Sequence, residues 1–276
     1  MSERFEYPLG AEQITAFERD GVIHLPGVLD EEFVERGREA CVQVPAVETV
    51  EGSTADEYFM KLRCWEKNET FKQICTASVM PGIAAQLVRS KKMNVLYDQM
   101  FSIAPGSGDR TPWHHDLPYW PVRGSQVVTL WVAFDHVTQE NGALKFIRGS
   151  HLWDVRYQAF STGEDNEDGF VPFESGVTDG VQPIPDFDVQ RTEHDIVSFD
   201  LVPGDALAFH GLSVHASHPN TTANMQRRGY AMRYTGDDVR YYAGPVWNVY
   251  IVNPTLTTGD LLDSDQYPVV FESRLT

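Results

Sequence analysis

The chain has 276 residues, 42% hydrophobic and 12% aromatic, which is enough apolar side chain for a substantial core and argues against a disordered chain. Its formal net charge of -18 and sequence pI near 4.8 would repel nucleic-acid phosphates and anionic lipid, so neither nucleic acid nor membrane is expected as a partner. Cys41, Cys64 and Cys75 form no CxxC pair, no stretch could span a bilayer and the N-terminus has no apolar leader core, so reduced thiols and a cytoplasmic protein are expected.

Ala11 to Arg19 carries Ile14 and Phe17 at helical spacing and stops at Asp20-Gly21. Val22 to Leu25 reads as a short strand closed by Pro26-Gly27, and Asp30 as the N-cap of a helix running to about Val42. Residues 44 to 65 show no clear period. Ile74 to Val88 is expected to be helical, with Pro81-Gly82 as an interruption. From Met93 the pattern becomes β: Val95, Tyr97, Gln99, Phe101 and Ile103 alternate with Leu96, Asp98 and Met100. Further strands are expected at Val127 to Phe134, Ala143 to Ile147, Ile196 to Val202, Asp205 to Phe209, Arg227 to Tyr234 and Val249 to Val252. Short strands between Gly, Pro and Asn turns indicate an antiparallel sandwich or barrel. Helices at about 11–90 would then buttress a β core at about 93–252, in one domain covering 1–276. Gly163 to Asp195 is rich in Asp, Glu, Gly and Pro and reads as a long loop, expected to be a lid over the site. Its acidic run, Glu164 to Asp168, lacks the spacing of a calcium loop.

Thr111 to Trp120, Thr-Pro-Trp-His-His-Asp-Leu-Pro-Tyr-Trp, carries the densest chemistry. If it is extended, His114 and Asp116 project to one face and His115 to the other. An imidazole beside a carboxylate is two thirds of the facial triad that holds non-haem Fe(II). The stretch from Pro203 to Asn220 offers His210, His215 and His218 as the remaining ligand. His215 follows an apolar segment and precedes the small Ala216, which would let a metal approach closely. His115, Tyr119 and Trp120 are candidate substrate contacts, whereas Trp131 is expected in the core.

The pieces Phe17 to Ile23, Trp113 to Asp116, Leu130 to Asp135, Glu140 to Leu144, Gly149-Ser150-His151, Pro203 to Asp205, His215 to Ser217, Asn220 and Arg227-Arg228 recur in one order. In that set the chain resembles the phytanoyl-CoA dioxygenase family of Fe(II)/2-oxoglutarate oxygenases, over about residues 11–240. The resemblance implies a double-stranded β-helix (jelly roll, cupin-like) core with flanking helices. It implies Fe(II) held by His114, Asp116 and His215, with 2-oxoglutarate and O2 as cosubstrates. The distal carboxylate of 2-oxoglutarate would pair with Arg227. Arg228 is the alternative, since neighbouring strand residues face opposite ways. Gln99 would line the cosubstrate pocket. The implied reaction is hydroxylation of an unactivated C–H bond in a small-molecule substrate, with release of succinate and CO2. Asp116 stands where halogenating relatives have a small residue, which favours hydroxylation. The alternatives are desaturation, epimerisation or ring formation at the same centre, and, from another class, a catalytically silent jelly roll that binds a ligand. That last reading predicts a broken triad or a missing arginine. Monomer and homo-oligomer both fit the sequence.

Overall fold

The computed structural model describes residues 7–44, 58–108, 110–162, 170–172, 181–244 and 251–273. The first helix, α1 (Ala11–Asp20), ends at Gly21, whose φ of 75° is left-handed and where a Cβ would run into His151. Strand β1 (Val22–Leu25) follows, then α2 (Glu31–Gln43), capped by Asp30, whose carboxylate accepts the Phe33 N–H at 2.9 Å. Beyond β2 (Tyr58–Leu62), α3 (Glu69–Lys72) runs into a π-helical turn at Gln73–Ala77, and α4 (Met80–Leu87) begins anew. Pro81 lies in the first turn of α4, where its missing N–H costs nothing. It therefore helps to start a helix, and the expected break comes earlier, at Ser78 and Val79.

The β region runs through β3 (Lys92–Ile103), β4 (Val122–Arg123), β5 (Val127–Ala133), β6 (Leu144–Ile147), β7 (Arg156–Tyr157), β8 (Phe160–Thr162) and β9 (Phe170–Pro172). It continues with β10 (Val181–Gln182), β11 (Ile196–Ser198), β12 (Ala206–His210), β13 (His215–Ser217), β14 (Arg227–Thr235), β15 (Arg240–Tyr241) and β16 (Val269–Glu272). The main sheet has the order β1-β12-β5-β14-β3, with β2 and β16 both paired to β3, and all its pairings are antiparallel. A smaller antiparallel sheet, β11-β6-β13, is extended by a bridge between His114 and His215. The two sheets form a jelly roll, with Trp131, Ala133, Phe146, Leu207, Phe209 and Ala231 between them. The other face of the main sheet carries Val128, Leu130, Val132, Tyr230 and Met232, which pack on Phe17, Val34, Phe71 and Ile83 of the helices. The helices thus shield the hydrophobic back of the sheet whose front faces the site. Among the described residues no helix is long and apolar enough to cross a membrane, and the three cysteines are buried and free.

The strand expected at Val249 to Val252 begins outside the described residues, at Val249 and Tyr250, and its second half, Ile251 and Val252, is not in a strand. Ile251 instead packs with Tyr241, Leu262 and Tyr267, and the Tyr267 hydroxyl donates to its carbonyl. The last strand is β16, which returns to the edge of β3, so the β core extends beyond residue 252. Of the expected lid, 163–169 and 173–180 lie outside the described residues. The stretch 181–195 packs on the outer face of the small sheet, where Phe187 is buried beside Trp113, Ile147 and Tyr157, and Lys145 pairs with Asp188 at 2.5 Å.

Asp98 is fully buried on the helix side of β3, where it accepts the Trp65 N–H at 2.7 Å and the Tyr230 hydroxyl, while its Oδ1 has no hydrogen bond. Burial raises its carboxyl from 3.8 to about 6 against the pull of those donors. An acid with a raised folded pKa binds protons more readily folded than unfolded, so its contribution to stability is present below pH 3.8 and is lost as pH rises through 6. Asp98→Asn removes this dependence. The melting temperature of the wild type relative to Asp98→Asn is expected to fall between about pH 4 and pH 7, by an equivalent of up to about 3 kcal/mol. Parallel pH profiles in thermal melts would refute that expectation.

Candidate metal centre

His114 and His215 meet across the bridge that joins their backbones, with N–H···O bonds of 2.9 and 2.8 Å. Each ring is oriented by its own chain: Nδ1 of His114 donates to the Pro112 carbonyl and Nδ1 of His215 to the Ser213 carbonyl, both at 2.9 Å. A carbonyl only accepts, so each Nδ1 carries the proton and each Nε2 presents a lone pair. Phe146 stacks on the His215 ring at 5.5 Å and Phe209 covers it at 4.8 Å. Asp116 does not continue the strand. Its φ of -73° and ψ of -39° open a single helical turn, Leu117–Tyr119, and this turn brings the carboxylate back beside the rings.

Asp116 Oδ1 lies 3.5 Å from His114 Nε2 and 3.9 Å from His215 Nε2. Both separations are shorter than two ligand bonds of about 2.1 Å end to end, so a common ion fits between each pair. One ligand atom from each of the three residues lies within 4.8 Å of the other two. Burial would raise the Asp116 carboxyl, but His114, His215 and Arg233 outweigh it and hold the group well below the usual carboxylate range. Burial, then the neighbouring His114, lowers His215 to about 3. A divalent ion takes a deprotonated Nε2 and an ionised carboxylate, and the lowered His215 and Asp116 meet that requirement, while the Pro112 carbonyl leaves Nε2 of His114 turned to the cluster.

Strand β14 passes beneath this cluster, and its residues divide by parity. Arg227, Gly229, Ala231 and Arg233 pair opposite Ile103, Phe101, Gln99 and Tyr97 of β3 and face the interior. Arg228 faces the helices, where its fork holds Asp135 with bonds of 2.8 and 2.7 Å. The Arg227 guanidinium lies over the Trp131 ring at 4.6 Å. Trp131 can reach there because residue 229 is glycine: a Cβ at that position would fall inside the indole. Gln99, also buried, stands on the same interior face.

A model of the family described as phytanoyl-CoA dioxygenase matches residues 17–229. The chain belongs to the phytanoyl-CoA dioxygenase family. A probable phytanoyl-CoA dioxygenase of Caenorhabditis elegans is 23% identical over 256 residues, covering 85% of this chain and 78% of that one. Among solved structures, the non-haem α-ketoglutarate-dependent carbocyclase SnoK from nogalamycin biosynthesis superposes with a TM-score of 0.73 at 22% identity, covering 95% of this chain and 96% of its own. The epimerase SnoN, in complex with Fe3+, α-ketoglutarate and nogalamycin RO, gives 0.71 at 21% identity, with 94% and 97% covered.

The aromatic half of the motif is split in this family member. Tyr119 sets its ring edge-on to His114 at 6.0 Å, so it stands at the cluster itself. Trp120 is buried and donates its indole N–H to the Tyr97 hydroxyl at 3.0 Å. His115 turns away and is buried against β7, where its Nε2 accepts the Tyr157 N–H at 3.0 Å. His210 braces the turn after β12, with its Nδ1 accepting from Leu212 N–H. Three neighbours of the site had no sequence signal of their own. They are Thr129, whose hydroxyl donates to Asp116 Oδ2 at 3.2 Å, Gly229, and Arg233, whose Nε stands 4.0 Å from the same oxygen. Only strand register could have found them.

Proposed function

We propose that the chain is an Fe(II)- and 2-oxoglutarate-dependent dioxygenase that hydroxylates an unactivated C–H bond of a small molecule, with O2 as the second cosubstrate and succinate and CO2 as coproducts. The observation that carries this reading is the convergence of His114, Asp116 and His215. Two imidazoles and one carboxylate leave an ion with open positions, unlike a closed structural zinc site. Iron bound there would supply the dioxygen activation that couples decarboxylation of the cosubstrate to C–H oxidation.

The chain's own residues do the rest. His114 and His215 are held in the ligating tautomer by backbone carbonyls, so binding needs no ring rotation. Asp116 offers Oδ1 to the ion while Thr129 holds Oδ2. Arg227 takes the distal carboxylate of 2-oxoglutarate with its planar fork, steadied by Trp131, and Gln99 lines the same pocket. Leu117 and Trp120, buried with Tyr97, keep water from the Asp116 side.

The test is succinate release by protein reloaded with Fe(II), across a metabolite panel, with Mn(II) uptake measured separately. Uptake near one ion per chain and succinate formation dependent on 2-oxoglutarate are expected. Absence of both would overturn the reading.

A further inference from the structure

Arg233 is 5% exposed, yet its Nε and Nη1 make no hydrogen bond. Its nearest carboxylate oxygen, Asp116 Oδ2, is 4.0 Å from Nε, beyond hydrogen-bond reach, and its guanidinium otherwise lies over the rings of Tyr97 at 4.6 Å and Phe101 at 5.9 Å. Buried donors are nearly always paired, so this one requires an account. The same strand shows what a structural arginine looks like here: Arg228 is satisfied bidentately by Asp135. Arg233 is not.

Its location narrows the account. Register places Arg233 opposite Tyr97 on β3 and Thr129 on β5. The β3–β14 pairing slips beside it, from Arg233↔Tyr97 to Tyr234↔Val95, leaving Leu96 as an extra residue. Such a bulge re-aims side chains, and bulges are common beside active sites. Arg227 stands on the same face six residues earlier, about 20 Å along the strand, so the two arginines serve different ends of the site. Asp116 divides its two oxygens: Oδ1 faces the histidines and Oδ2 faces Arg233. With a divalent ion and the 2-oxoglutarate dianion bound, Asp116, Arg227 and Arg233 would leave the site with an excess positive charge.

We infer that Arg233 is a second carboxylate receptor and that the substrate is an organic acid, whose carboxylate pairs with the free edge of this guanidinium beside Tyr97. The inference rests on the proposed function and adds the substrate class. A planar, bidentate donor suits carboxylate, and Tyr97 and Phe101 give the acid's carbon skeleton an apolar neighbour.

The experiment loads the protein with Mn(II) and saturating 2-oxoglutarate, so that the Arg227 end is filled, and measures calorimetric binding of benzoate, phenylacetate and hexanoate beside their primary amides. In the wild type at least one acid is expected to bind about tenfold or more tighter than its amide. Arg233→Met should abolish that preference and Arg233→Lys should keep part of it, with Mn(II) and 2-oxoglutarate still bound in both. No preference for any acid in the loaded wild type, or a preference intact in Arg233→Met, overturns the inference alone. Failure of the wild type to take up Mn(II) and 2-oxoglutarate overturns it together with the proposed function.

Discussion

Alanine at His114, Asp116 or His215 will each remove 2-oxoglutarate-dependent succinate formation, but Asp116→Ala will also cost the fold the most. Loss of a ligand forfeits several kcal/mol of transition-state stabilisation, hence at least about a thousand-fold in rate. Stability separates the variants. Asp116 is the carboxylate beside buried Arg233, and its removal leaves that cation without its nearest counter-charge. Breaking a buried charge pair costs about 3–5 kcal/mol, an upper bound here because the groups are not hydrogen-bonded. His114→Ala removes a less buried ring and strands no charge. A melt of Asp116→Ala no lower than that of His114→Ala would refute the electrostatic account, and full succinate formation by any of the three would refute the ligand assignment. Adding Arg233→Met to Asp116→Ala should recover part of the lost stability.

The strands that build the site were legible where chemistry punctuates them. Val22–Leu25, Lys92–Ile103, Val127–Ala133 and Arg227–Thr235 are β-prone runs closed by turns, and Asp30 caps its helix as its position implies. What could not be read is whatever depends on pairing. The alternation of β3 breaks at Leu96, so Val95 joins the helix-side cluster with Met100 while Tyr97 and Gln99 face inward. Pro81 reads as a breaker or a starter according to where the preceding turn ends, and it ends at Ser78, whose hydroxyl donates to the Ile74 carbonyl at 2.5 Å and accepts the Met80 N–H at 3.2 Å. Arg233 looks like any strand arginine until β3, β5 and β14 are set in register, because its partners Tyr97, Thr129 and Asp116 come from three separate parts of the chain.

The second large effect is expected at a residue with no side chain. Gly229→Val should raise the KM for 2-oxoglutarate by at least about tenfold while leaving kcat at saturation largely intact, the signature of lost uniform binding. The added Cβ would occupy the space of the Trp131 indole, which must move, and the Arg227 guanidinium loses the ring beneath it. Arg227→Met removes the charge-assisted fork itself, and about 1.5–3 kcal/mol corresponds to roughly ten- to hundred-fold in affinity. Arg228→Met makes the contrasting case. It removes the fork on Asp135 on the helix side and leaves that carboxylate the Arg38 Nε at 3.5 Å as its cationic partner, so it should lower the melting temperature while the KM for 2-oxoglutarate stays within about threefold of the wild type. Steady-state kinetics of the three variants decide the matter, since a KM effect confined to Arg228→Met would place the cosubstrate on the opposite face of β14.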